Sequence, residues 1–231
     1  MSYALLLLAV FNFALLIWAV RACRRDPANL ALMLQTVLLA LLWFDAGTVA
    51  VGRWLGDGEP LLTMSRIRYT WFFLTMPLLL IASAALARQA GFAVARPRFV
   101  LPLLAAVAVL FMVRDVPMAW TADYHTACFA DTLRHVFKVA AGEACRPEDA
   151  GLGGGGFSPA IPLVFASVTL VGLALWLRRG WPWLGAAALL FMATTLVPAS
   201  IVGPFLTYPA DTLMTAAFLV TARKFPPRAG A

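Results

Sequence analysis

The chain has 231 residues, of which 62% are apolar and only 13% charged. Soluble domains of this size are nearer half apolar and a quarter charged, so the composition points to an integral membrane protein and away from a water-soluble enzyme. The formal net charge of +7 does not signal nucleic-acid binding, because Lys and Arg sit in short clusters flanking apolar runs, where they report membrane topology.

Seven apolar runs approach the ~20 residues that a bilayer core requires. They cover about 3–20, 28–51, 62–86, 99–113, 159–177, 183–201 and 205–221. The first lacks the basic start and small-residue cleavage site of a signal peptide and reads as a retained span. Pro77 and Pro198 lie inside the third and sixth runs and are expected to kink them, while Pro97 and Pro102 crowd the start of the fourth. The expected fold class is all-α: one polytopic domain over 1–231 with seven transmembrane helices.

The flanking charges orient it. With the first connection cytoplasmic, that side holds Arg21, Arg24, Arg25, Arg88, Arg96, Arg98, Arg178, Arg179, Arg223, Lys224 and Arg228, eleven basic residues against the single acid Asp26. The other side holds seven basic residues and eight acids: Asp57, Glu59, Asp115, Asp123, Asp131, Glu143, Glu148 and Asp149. The positive-inside rule then places the N-terminus outside and the C-terminus in the cytoplasm, as an odd number of spans requires. The expected location is the inner (plasma) membrane.

The connection over 114–157 is the one sizeable extracytoplasmic loop. In it Phe129, Leu133, Val136, Phe137 and Ala140 recur at helical spacing among Asp131, Arg134, His135 and Lys138, which predicts an amphipathic interfacial helix. Gly151 and Gly153–Gly156 read as a flexible tether to the fifth span. Cys128 and Cys145 are candidates for a disulfide closing the loop. The alternative, a metal site from His125, Cys128, His135 and Cys145, lacks closely paired ligands, so no metal is expected. Cys23 faces the reducing cytoplasm.

Absences narrow the chemistry. No histidine lies in any span, so intramembrane haem and His-rich di-iron sites are not expected. There is no G-x-S-x-G elbow, no HExxH and no Walker A run. Lys138 and Lys224 are the only lysines, which excludes a Schiff base at mid-membrane. No cofactor is expected.

Within the spans the ionisable residues are Asp45 in the second, Arg68 at the start of the third and Asp211 at the start of the seventh. Charge at membrane depth is costly and marks working regions. All three, with Tyr208, fall toward the outer half, and Arg68 is expected to bridge both aspartates or to face a wet cavity. Arg53 and Arg66 read as snorkelling to the interface. Trp43, Trp54, Trp71, Trp120, Trp181 and Trp183 lie near span ends and read as interfacial anchors.

Arg68-Tyr69, Thr75 and the run Pro77-Leu78-Leu79-Leu80 resemble the third-helix pattern of microbial rhodopsins, which have seven helices with N outside and C inside. Asp211 with Thr215 four residues on resembles their last-helix acid-to-lysine spacing, and Pro198 could stand for the sixth-helix proline. The resemblance implies their helical arrangement without their chromophore, because Thr215 stands in place of the retinal lysine and Trp71 in place of the counter-ion acid. The aromatic sandwich of their sixth helix is absent as well. The stretch 45–80 is also similar to a pattern in uncharacterised bacterial membrane proteins.

These readings converge on a pocket of Asp45, Arg68, Tyr69, Thr75, Tyr208, Asp211 and Thr215 that binds a small lipophilic ligand or ion, in a carrier, sensor or accessory subunit rather than an enzyme. The expected partners are membrane lipids, a small ligand and subunits of a membrane complex, with no nucleic acid. One alternative is a small-solute transporter of three-plus-one-plus-three design, as in SWEET-type sugar-efflux proteins. VGRWLGDGEPLLTMSR and IVGPFLTYPAD turn in parallel through Gly and Pro, although the Pro-Gln signature is missing. The other is a lipid-modifying membrane enzyme using Asp45 and Asp211 as acid and base.

Overall fold

A computed structural model describes residues 1–154, 158–203 and 205–227. Gly155, Gly156 and Phe157 of the expected tether and loop, Pro204 of the second transporter-like turn, and Arg228 of the charge count lie outside the described residues. The chain is mostly helical, at 71%, and among the described residues five helical stretches are long and apolar enough to cross a membrane.

Long Leu/Ala-rich runs make the first two helices. Helix α1 (Ser2–Arg25) ends at Asp26-Pro27, and α2 (Leu30–Leu55) begins behind Asn29, whose side chain accepts the Leu32 amide at 3.1 Å. Gly56, at φ 72°, stops α2. Helix α3 (Glu59–Thr75) starts with an acid and a proline in its first turn. Pro77 separates it from α4 (Leu78–Gln89), yet the pair reads as one stretch over 59–89. The fourth run forms α5 (Val100–Asp115) and, past Pro117, the single turn α6 (Met118–Thr121).

After the loop come α7 (Ala160–Arg179), closed by Gly180 in the left-handed region, α8 (Trp183–Thr195), the turn α9 (Ala199–Val202) and α10 (Thr207–Lys224). Pro198 falls at the break between α8 and α9. At 13 residues α8 is short for a span. Helices α7 and α8 touch backbone to backbone: a Cβ on Gly172 would lie 2.7 Å from the Gly185 nitrogen.

The loop corrects the expected interfacial helix. It holds a two-stranded antiparallel hairpin, β1 (His125–Phe129) and β2 (Thr132–Val136), with Ala127 opposite Arg134 and Cys128 opposite Leu133. A two-residue turn joins the strands, and Ala130 takes φ 51° there, the sense that matches strand twist. The apolar spacing that suggested a helix falls on a hairpin packed from both faces: Ala127 is buried at the centre of one strand, and Thr132, His135 and Val136 on the other. Cys128 and Cys145 are joined in a disulfide, so neither is a thiolate ligand for a metal. The Gly151–Gly153 part of the tether is packed, not free. The Gly151 amide donates to the Val139 carbonyl at 3.1 Å, and a Cβ on Gly153 would lie 2.1 Å from the Phe137 carbonyl oxygen.

The core runs through α1, α2, α4, α7, α8 and α10, with Leu38, Leu39, Leu79, Leu86, Val164, Leu184 and Phe218 fully buried. Polar cross-links fasten both ends of the bundle. At the basic end Asn29 donates to Asp26 at 2.9 Å and to the Ala222 carbonyl at 3.0 Å, and it accepts from Gln89 at 3.1 Å. There Arg179 also donates to the Ala90 carbonyl at 2.7 Å, and Trp181 to Thr221 at 2.9 Å. The hairpin covers the opposite end.

Candidate functional site

The site lies where the hairpin meets the helices. Its base is a pair between neighbouring helices. Arg68 of α3, 4% exposed, places Nε 3.1 Å from Asp45 Oδ1 of α2. Arg68 Nη2 donates to the His135 carbonyl of β2 at 3.2 Å, and its guanidinium carbon lies 4.5 Å from the Tyr69 ring centroid. One arginine thus joins α2, α3 and the hairpin. The Tyr208 hydroxyl of α10 reaches the Asp45 carboxylate.

The hairpin is held over this pair from several sides. Arg53 donates to Asp131 at 2.8 Å, Thr126 donates to Asp57 at 3.0 Å, and the Ser2 amide donates to Asp131 at 3.0 Å. Arg53 is therefore a hairpin anchor, not a snorkelling side chain. Tyr69 packs on Phe137 with ring centroids 4.2 Å apart and on Tyr124 at 5.8 Å. Gly52 of α2 permits the closest approach: a Cβ there would sit 1.9 Å from the Leu133 carbonyl oxygen. Only a glycine lets β2 lie against α2.

Between α2, α3, α7, α8, α10 and β2 opens a cavity of about 370 Å³. Asp45, Arg68, Tyr69, Arg134, Tyr208 and Asp211 give it polar groups, and Phe72, Met76, Ile161, Phe165 and Phe191 give it an apolar wall. Phe165 and Phe191 pack against each other with ring planes tilted by 32° and centroids 4.5 Å apart. An apolar cavity with a few convergent polar groups has the make-up of a small-molecule site.

The aspartates do not share Arg68. Among the described residues Arg68 pairs with Asp45, whereas Asp211 has no ion pair and its buried Oδ1 has no hydrogen-bond partner. This corrects the expected double bridge, because Asp211 lies on the α10 wall of the cavity while Arg68 is held toward α2 and the hairpin. Thr75 and Thr215 are not among the lining residues. The Thr75 hydroxyl donates to the Trp71 carbonyl of its own helix at 2.9 Å, and Thr215 accepts from Gln35 at 3.1 Å in the contact between α2 and α10.

Residues without a sequence signal complete the site. Arg134 of β2 pairs with the buried Glu143 at 2.6 Å, and the Glu143 carbonyl accepts the Cys128 amide at 2.7 Å. The disulfide therefore fixes an acid that compensates a cavity-lining arginine. Neither Arg134 nor its partner nine residues on could be read from spacing.

In the loop, burial pushes the His135 imidazole below its ordinary pKa; neighbouring Asp57 opposes this and the Arg68 charge adds to it. Hydrogen bonds from the Met1 amine, the Ser2 amide and Arg53 hold the Asp131 carboxyl well below the usual carboxylate range. Burial raises the Tyr124 hydroxyl, which donates to the Ala119 carbonyl at 2.9 Å.

Compared with known families, characterised proteins and solved structures, the chain matches none.

Proposed function

We propose that this chain is a seven-helix protein of the cytoplasmic membrane, N-terminus outside and C-terminus inside, that binds a small ligand in a cavity opening toward the outer face. It serves as a carrier, sensor or accessory subunit rather than as a catalyst. The observation that carries this reading is the cavity itself: about 370 Å³, apolar on one wall, with Asp45, Arg68, Tyr69, Tyr208 and Asp211 converging on the other. The five membrane-capable helices support the location. The orientation is supported by the basic side chains that end α1, α7 and α10, against a disulfide-closed hairpin at the other end. The microbial-rhodopsin resemblance enters as an arrangement of helices alone.

Binding rather than catalysis fits the chemistry. Asp45 is engaged by Arg68, and the two threonines nearest in sequence pattern, Thr75 and Thr215, are engaged within the bundle. No activated nucleophile faces the cavity among the described residues. Native mass spectrometry of detergent-purified protein tests the reading, with wild type compared against Ile161→Trp, which fills the cavity. The expected result is a small-molecule adduct on wild type that is lost in the variant. Equal adducts on both proteins, or none on either, would overturn it.

A further inference from the structure

The charges around the cavity specify more than a vacant space. Four charged side chains line it: Asp45, Arg68, Arg134 and Asp211. Two of them are cations, and each already has its own acid. Arg68 pairs with Asp45 at 3.1 Å and Arg134 with Glu143 at 2.6 Å. Asp211 is left over, its Oδ1 buried and without a partner among the described residues. Its charged neighbour across the cavity is Asp45, a group of the same sign.

From this inventory we propose that the cavity takes an organic cation, a protonated amine carried on an apolar body. The inference rests on the reading of the cavity as a ligand site and adds the charge of the ligand. A half-buried carboxylate with one oxygen buried and unpartnered is costly, and an ammonium placed against Asp211 reduces that cost by a charge-assisted hydrogen bond. A carboxylate ligand would meet two acids and no uncompensated base. Arg68 Nη1 also lacks a hydrogen-bond partner, but Asp45 already balances its charge, so it needs only a neutral acceptor such as water or a ligand oxygen. The remaining wall suits the rest of such a molecule. Phe72, Phe165 and Phe191 offer aromatic faces that attract a cation and cover its hydrocarbon, and Met76 fills irregular space beside them.

Three probes that share one skeleton and differ in charge test the proposal: phenylbutylamine, phenylbutanol and phenylbutyrate, titrated against the full chain in detergent with thermal stability as the readout. On wild type the amine should bind about tenfold more tightly than the alcohol, the scale of one hydrogen bond to a charged group in a partly wet site, with the carboxylate weakest. Asp211→Asn should bring the amine down to the level of the alcohol and leave the alcohol unchanged. Asp45→Asn, which leaves Arg68 uncompensated, should turn the preference toward phenylbutyrate. Equal binding of amine and alcohol to wild type would overturn the cation assignment while leaving the cavity a ligand site. Failure of all three, with Ile161→Trp indistinguishable from wild type, would overturn both. The wild-type ranking decides the matter even if a variant does not fold.

Discussion

The two ends of the bundle are built from similar parts and finished differently. At the basic end Asn29 ties α2, α4 and α10 together through bonds to Leu32, Asp26, Ala222 and Gln89, and Arg179 and Trp181 each reach a partner across helices. At the hairpin end the anchors are equally numerous, yet the unpartnered atoms around the cavity, Arg68 Nη1 and Asp211 Oδ1, belong to charged groups, whereas at the basic end the unpartnered atom beside a pocket of about 500 Å³ is the neutral Gln89 Oε1. Buried polar groups are normally satisfied, and a charged group left short of partners costs more than a neutral amide oxygen does, so the hairpin end is the stronger candidate for a ligand.

That contrast can be broken by experiment. The largest effect is expected from Cys128→Ser with Cys145→Ser. Opening a loop of sequence separation 17 should cost the hairpin about 3 kcal/mol of local stability, read as faster amide exchange over 125–145 and weaker ligand binding. Unchanged exchange there would show that the loop is held by its polar anchors alone. Gly52→Ala comes next. Its methyl would meet the Leu133 carbonyl oxygen, and lifting β2 from α2 should cost about 2–3 kcal/mol and reduce binding with stability. Asn29→Ala, at the other end, should cost about 1–2 kcal/mol through the lost helix cap and leave binding intact. If Asn29→Ala weakens binding as much as Gly52→Ala does, the two ends do not differ in role.

The smallest effect is a pH dependence. His135 is buried under the hairpin with its pKa lowered, so the detached hairpin binds a proton more readily than the docked one. The docked state therefore has its full stability above the ordinary histidine value of about 6.5 and loses it as pH falls from there toward the lowered value. Asp131 titrates lower still, and its stabilisation is present above about 4 and lost only in stronger acid, outside this window. Protection factors over β1 and β2, the exchange rates divided into the intrinsic rate at each pH, should fall between about pH 7.5 and 5.5, and His135→Gln should flatten the slope. Protection factors that rise on acidification would contradict this placement of His135.

The helices were legible because apolar run length is a strong signal and because Asp26-Pro27, Gly56 and Gly180 punctuate it. The hairpin was not. Its strands have five residues each, and the turn Ala130-Asp131 lacks the Asn-Gly or Asp-Gly signature, so a helical spacing fitted the same residues. The meeting of Asp45 and Arg68 follows from the need of buried ions for partners, which sequence does convey. Which acid Arg68 takes depends on helix rotation, which sequence does not convey, and so Asp211 came out unpaired. Thr75 and Thr215 came from motif spacing, and the structure engages them in helix contacts instead. Arg53–Asp131 and Arg134–Glu143 join positions related only through the hairpin.

The cavity lies at the hairpin end, which faces the outside of the cell in the proposed topology. Thr195, exposed at its rim on α8, gives direct access to it. Cys23 sits on α1 within 3.3 Å of Thr36, near the basic end, while the other two cysteines are bonded to each other. Thr195→Cys in a Cys23→Ser background should react with a membrane-impermeant maleimide added to intact cells, and phenylbutylamine should slow the reaction. No labelling at position 195 in that background, with Cys23 of the wild-type chain labelled from outside instead, would contradict the account.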